Sequence, residues 1–519
     1  MGTDTDVWWK KAVVYQIYPR SFQDSTGDGI GDLTGIIQRL DYLKWLGIDA
    51  IWLSPIYPSP MQDFGYDITH YTGIDPQFGS LQDFDRLVER SHTLGIRVIL
   101  DVVPNHTSSE HPWFLASRQS QTNPQRNWYI WRDPKADGGP PNNWRSVTGG
   151  SAWSLDELTG QYYLHSFLPC EPDLNWRSAD VRMAVASALH FWLSRGVDGL
   201  RIDMVDFLVK DATFRDEANA GYTFATAQRH LNQPEVAQTI EEICRVVNAY
   251  PDRVAIGEIN PGSNVARTVS YYGKAARLQP FNFGLLGLPF EAAALKAYIQ
   301  AYEAALPAEA WPNYTLGNHD TPRLASRLGQ PKSRLAALLL LTLRGTPYLY
   351  YGDELGLENV VIPSDQIQDV WEARQPGKGR DPCRTPMPWR SESGAGFTQG
   401  EAWLPIGDQN RQRNVERQQQ DEASLLMLYR CLIAIRQRSP ALLSGSLQLL
   451  NAPSEVLMYE RALGDSQALT IANFSKTSQQ IVLPYKASGW QSLLSTQARE
   501  LFKPGDSFEL LPYEGILLS

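Results

Sequence analysis

Apolar residues recur at helical spacing and then close up into short unbroken runs, again and again along the chain. In "LTGIIQRLDYLKWLGIDAIWLSP" the residues Leu33, Ile36, Ile37, Leu40, Leu43 and Leu46 share one helical face, Gly47 breaks the period, and an apolar stretch follows. "LQDFDRLVERSHTLGIRVILDVV" repeats the pattern with Gly95 at the break, and "VRMAVASALHFWLSRGVDGLRID" repeats it with Gly196. A glycine past the last turn can adopt the left-handed conformation that ends a helix. A short run that is apolar on both faces reads as a strand covered on both sides, as in a parallel sheet. Persistence of such units over roughly 400 residues predicts a (β/α)₈ TIM barrel of class α/β. Strands are predicted near 12–18, 49–54, 96–102, 197–203, 253–258, 278–283, 312–317 and 346–351.

Two segments break the alternation. The interval after the third strand is too long for one helix and is rich in Trp, Pro, Asn and Gly, which predicts an inserted subdomain over 105–175. The barrel then comprises 1–104 and 176–440. Beyond the helical stretch "LLMLYRCLIAIRQRS", the segments "EVLMYERAL", "QALTIANFS" and "SFELLPYEGILL" read as short strands, so 445–519 is predicted to be a C-terminal antiparallel β-domain.

Composition narrows the partners. A net charge of -10 with no Lys/Arg-rich run argues against nucleic acid and anionic membrane. No apolar run is long enough to span a bilayer. "MGTDTDVWWKK" lacks a cationic start followed by an apolar core, so it does not read as a secretory signal. Cys170, Cys244, Cys383 and Cys431 are widely spaced without a CxxC pair, which predicts reduced thiols and a cytoplasmic protein. The expected assembly is a monomer or weak homo-oligomer.

Polar residues gather where a barrel carries its chemistry, at the carboxyl ends of strands. "DVVPNH" gives Asp101, Asn105 and His106; "RID" gives Arg201 and Asp203; "GEIN" gives Glu258; "GNHD" gives His319 and Asp320. One acid at a strand end is commonly a helix cap or an ion-pair partner. Four strand ends that share the feature, with an arginine among them, suit a pair of carboxyls with different proton affinities, one nucleophilic and one protonated. Zinc is the competing use of two histidines and several acids, but no HxxxH-type helical pair supports it.

These motifs, in this order, resemble the four signature regions of the α-amylase superfamily, glycoside hydrolase family 13. "VVYQIYPRSFQDSTGDGIGDLTGI", "DFGYDI", "PNNW", "PDLNW" and "GRDPCRTPMPW" extend the likeness to the oligo-1,6-glucosidase and α-glucosidase branch. The resemblance implies a retaining exo-acting α-glucosidase acting on short α-glucosides, or a transglucosylase such as a sucrose isomerase on the same scaffold. It implies Asp203 as nucleophile, Glu258 as acid/base and Asp320 as the third carboxylate, with Arg201 keeping Asp203 ionised. It implies His106 and His319 as hydroxyl contacts, Tyr66 as a platform under the sugar, Phe167 at the pocket entrance, and Asp63 with Arg384 as the clamp on the terminal 4-hydroxyl. Asp206 has no such counterpart and reads as a surface or helix-start acid. "DSTGDGIGD" is similar to the family's first-loop metal site and implies a structural Ca²⁺ or Mg²⁺ on Asp24, Thr26, Asp28, the Ile30 carbonyl and Asp32, with no organic cofactor. Gly35 at the twelfth position excludes an EF-hand. Three residues depart from the branch pattern near the aglycone side: Met204 after the nucleophile, Glu171 in "EPDLN", and Asn260 after the acid/base segment.

Overall fold

A computed structural model describes residues 7–219, 221–224, 226–259, 264–272, 278–483, 490–497, 499 and 507–519. Asn260 lies outside the described residues. Eight parallel strands form one sheet: Val14–Ile17, Ala50–Leu53, Arg97–Val102, Gly199–Ile202, Val254–Gly257, Leu278–Pro280, Asn313–Thr315 and Thr346–Tyr350. Each lies inside the range expected from the sequence. The hydrogen-bonded order runs from the seventh strand through the eighth and first to the sixth, so the barrel is continuous except between the sixth and seventh strands. The sixth strand ends in Pro280, which has no N–H to give a neighbour. The Asn313 amide bridges the gap instead: it donates to the Pro280 carbonyl at 2.8 Å and accepts from the Asn282 N–H at 2.9 Å.

The helix stops behave as the pattern requires. Gly47, Gly95 and Gly196 have φ of 96°, 73° and 98°, a region closed to most side chains. Helix Leu33–Leu46 starts at Asp32, whose carboxylate accepts from the Gly35 N–H. Helix Leu81–Thr93 starts on a capping box of Ser80 and Asp83.

After the third strand, Trp131–Arg132, Trp153–Asp156 and Gln161–Leu164 form a three-stranded antiparallel sheet with Gln161–Leu164 in the middle. It returns to the barrel beside the third strand, where Leu174 N donates to Asn105 O at 2.9 Å. The C-terminal part is antiparallel: a five-stranded sheet from Ser446–Leu449 to Gly515–Leu518 and a two-stranded sheet of Gln479–Val482 with Ser507–Leu510. Among the described residues no helix is long and apolar enough to cross a membrane.

Candidate active site

The register of the barrel brings the first charged residues together. Asp101 on the third strand pairs with Arg201 on the fourth. Arg201 is 1% exposed and lies 5.1 Å from the Trp52 ring. Its Nη1 donates to Asp101 Oδ1 and Oδ2 at 2.8 and 2.9 Å and to Asp203 Oδ1 at 2.8 Å, and its Nη2 pairs with Glu258 Oε2. Three carboxyls therefore share one guanidinium. Burial pushes the Asp203 carboxyl well up. The Arg201 charge opposes this, while the charges of Glu258 and Asp101 raise it further. Burial also pushes Asp101 up to about 6 against the pull of Arg201. Arg201 thus favours the ionised form of Asp203, as expected, but divides its donors among three acids.

Met204 turns the chain sharply after Asp203. Its φ of 41° and ψ of 54° are left-handed, a costly state for a residue with a side chain, and its N–H faces Glu258 Oε2 at 3.4 Å. Asp206 follows in the turn Val205–Phe207 and is fully buried. Of the two expected readings, the surface acid is wrong and the helix-start acid holds: Asp206 lies in the first turn of a short helix that carries it inward.

Asp203, Glu258 and Asp320 line one cavity of about 490 Å³ with Asp63, Tyr66, His106 and Phe167. A hollow of about 520 Å³ between helices Ala179–Ser194 and Val236–Asn248 is as large, but it holds an Arg182–Glu242 pair and no converging acids. Chemistry, not size, selects the first. Burial works against ionisation of Asp320, but His319, Arg384 and Arg380 hold it far below the usual carboxylate range. Its side chain is 38% exposed, open to the cavity.

One end of the cavity is walled by charge. Arg380 pairs with Asp63, and its Nε and Nη2 engage Asp369 at 2.8 Å each. The guanidinium lies 4.2 Å from the Trp371 ring and 3.4 Å from Asp320 Oδ1. The expected clamp of Asp63 with Arg384 is corrected here. A turn at Asp381–Cys383 separates the two arginines. Arg384 is fully buried behind the wall, donating to the His319 carbonyl at 2.8 Å and Asp320 Oδ1 at 2.9 Å.

The two histidines part company. His106 faces the cavity beside Phe167, with ring centroids 5.3 Å apart. His319 is 1% exposed and does not line the cavity. It stacks on Tyr66 at 5.4 Å, and both ring nitrogens are engaged, Nδ1 with Gln16 Nε2 and Nε2 with the Tyr66 hydroxyl, each at 2.7 Å. Direct contact of His319 with a sugar is therefore not open in this conformation; the ring supports Tyr66, whose hydroxyl donates to Asp101 Oδ2 at 3.0 Å.

The loop expected to hold a metal folds around its own N–H groups. Asp24 Oδ1 accepts from Thr26 N and Gly27 N at 2.8 and 2.7 Å, and Oδ2 accepts from Gly29 N at 2.8 Å and from Thr398 Oγ1 at 2.5 Å. Asp32 accepts from Ser25 N and Gly35 N, and Asp28 from Ile30 N. Among the described residues no three His, Cys, Asp or Glu side chains converge as a metal cluster. In the Asp24, Thr26, Asp28, Ile30 and Asp32 set, the carboxylates of Asp24 and Asp32 serve the N–H groups of the turn as folded.

The Alpha amylase, catalytic domain, family matches residues 16–445. The chain belongs to the α-amylase family. Among this family's curated members it is 39% identical over 520 residues to the oligo-1,6-glucosidase of Parageobacillus thermoglucosidasius, covering 92% of both chains. It is 37% identical over 549 residues to the trehalose-6-phosphate hydrolase of Escherichia coli (strain K12), covering 98% of both. The solved structure of the α-glucosyl transfer enzyme XgtA superposes with a TM-score of 0.93 at 40% identity, covering 98% of this chain and 99% of that one. These relationships make the chain a glycoside hydrolase of the α-glucosidase kind within the α-amylase family.

Some residues of the cavity wall had no sequence signal strong enough to single them out. Asp369 caps the helix Val370–Arg374, and Trp371 lies in that helix, which is too short to show a period in the sequence. Gln16 could have been found, as a lone amide inside the apolar run of the first strand, where it is 1% exposed.

Proposed function

We propose that this chain is a retaining exo-acting α-glucosidase that removes the terminal glucose of short maltose- or isomaltose-type α-glucosides through a covalent glucosyl-enzyme. The observation that carries this reading is the closed end of the cavity, where Arg380, Asp63 and Asp369 form a buried charged wall. A chain with sugars on both sides of the scissile bond cannot thread past it. A terminal glucose can fill the space with its hydroxyls against the wall and its ring on Tyr66.

In the first step Asp203 attacks the anomeric carbon while Glu258 gives its proton to the departing oxygen; in the second, Glu258 takes a proton from water as it attacks the same carbon. Retention needs carboxyls about 5–5.5 Å apart and inversion about 6.5–9.5 Å. Pairing of both carboxyls with the single Arg201 guanidinium supports the close arrangement. Substrate bound between the two sets Asp203 against the anomeric carbon and Glu258 against the departing oxygen. Arg201 then neutralises the attacking carboxylate.

Likeness to an α-glucosyl transfer enzyme favours one second reading, transfer of the glucosyl group to an acceptor other than water. A panel of maltose, isomaltose, sucrose, trehalose and an aryl α-glucoside, read by product chromatography, together with the viscosity of a starch solution, tests both. Free glucose as the main product, with starch viscosity unchanged, is the expected result. Rapid loss of starch viscosity with little free glucose would contradict the closed end, and a predominance of new disaccharides would establish transfer.

A further inference from the structure

His106 lines the cavity with its Nε2 buried and without a hydrogen-bond partner. Burial pushes its pKa down to about 4, so the ring is neutral and carries one proton. Which nitrogen holds that proton decides whether the cavity is offered a donor or an acceptor. The other nitrogen, Nδ1, lies 3.2 Å from Asn105 Nδ2. An amide can be turned either way, so its orientation needs an outside constraint. Lys210 provides one. An ammonium has donors only, and Lys210 Nζ lies 2.8 Å from Asn105 Oδ1, which makes that atom the oxygen. Asp173 provides a second. Its Oδ1 is an acceptor 3.2 Å from Asn105 Nδ2, which makes that atom the nitrogen. The two constraints agree. Asn105 donates to Nδ1, so the proton of the neutral ring is on Nε2.

We propose that Lys210 is a positioning residue that, through the Asn105 amide, fixes His106 as its Nε2–H tautomer and thus as a hydrogen-bond donor to a substrate oxygen. Lys210 is 1% exposed and pairs with Asp173 Oδ2 at 2.7 Å, so its ammonium cannot turn away from the amide at low cost. Glu171 Oε1 stands 3.6 Å from Nε2, too far for a hydrogen bond. The Nε2–H is therefore oriented by its surroundings but left free for a ligand. The tautomer follows from the geometry alone; its use by substrate rests on the glucosidase reading.

The test is a spectrum of the whole protein labelled with ¹⁵N-histidine, in which proton couplings distinguish the two tautomers. Loss of one signal in His106→Gln identifies that residue. We expect wild-type His106 to be protonated on Nε2. The paired variant Lys210→Met with Asp173→Asn removes the lysine without leaving a buried charge unpaired. It should give a mixture of tautomers, raise KM for a short α-glucoside about 3–10-fold, the worth of one neutral hydrogen bond, and change kcat on an aryl α-glucoside less. A wild-type signal protonated on Nδ1, or a folded variant that keeps pure Nε2–H, would overturn the proposal. If the variant does not fold, the wild-type spectrum still decides. Because no turnover is needed to read the tautomer, a protein inactive on every α-glucoside would remove the proposed function and leave this result standing.

Discussion

Arg380 and Arg384 are four residues apart in one motif and face different partners. Arg380 holds Asp63 and Asp369 at the cavity wall, while Arg384 sits behind Asp320. Replacing one member of a desolvated charge cluster costs about 2–5 kcal/mol, because the remaining acids lose their counter-charge. Arg380→Met should therefore lower kcat/KM for maltose by orders of magnitude, chiefly through KM, and lower the melting temperature as well, because Asp63 and Asp369 remain buried. Arg384→Met should act through Asp320 and lower kcat more than it raises KM. Steady-state kinetics of the two variants check the assignment, and the reverse pattern would restore Arg384 to the wall. The sequence could say that this motif supplies an arginine, but not which one. That choice depends on a single turn at Asp381–Cys383, whose direction no periodicity encodes.

At the scale of elements the sequence was most legible where a period is repeated. All eight barrel strands and the three glycine stops follow from alternation of apolar runs and helical faces, since burial on two faces leaves no other arrangement. It was least legible in loops, where one polar pattern serves two purposes. Alternating Asp residues in "DSTGDGIGD" suit a cation, and they suit equally well a turn whose carboxylates accept backbone N–H groups. The structure has the second arrangement, closed by Thr398 on Asp24. Adding EDTA should accordingly leave the melting temperature unchanged. Thr398→Val should lower stability by about 1.5–3 kcal/mol, the worth of a hydrogen bond to a charged group. Thermal unfolding with and without EDTA measures both; a fall in melting temperature with EDTA, with metal recovered by elemental analysis, would return the cation to the loop.

Across the whole molecule, burial of neutral histidines makes stability depend on pH. Burial pushes His230 down to about 3, as it does His111 and His319. In the unfolded chain a histidine titrates near 6.5, roughly. A depressed folded-state pKa gives stability that is present above that value and lost as pH falls, because unfolding takes up protons. Asp67 and Asp101, each raised to about 6 with burial as the first cause, act in the opposite sense over the lower part of this window. The comparison must therefore be between variants. His230→Gln should lose less stability than the wild type between pH 7 and pH 5, by the uptake of about one proton. Denaturant titrations at the two pH values test this, and equal losses would show that His230 does not titrate on unfolding. The central claim for the molecule is double displacement through Asp203, and one measurement tests it most directly. Glu258→Gln, given an aryl α-glucoside whose phenol needs little protonation, should release a burst of phenol and stall with a glucosyl adduct on Asp203. Azide needs no general base, so adding it should restore turnover and yield α-glucosyl azide. Recovery of β-glucosyl azide, or an adduct mapped to a residue other than Asp203, would contradict the account.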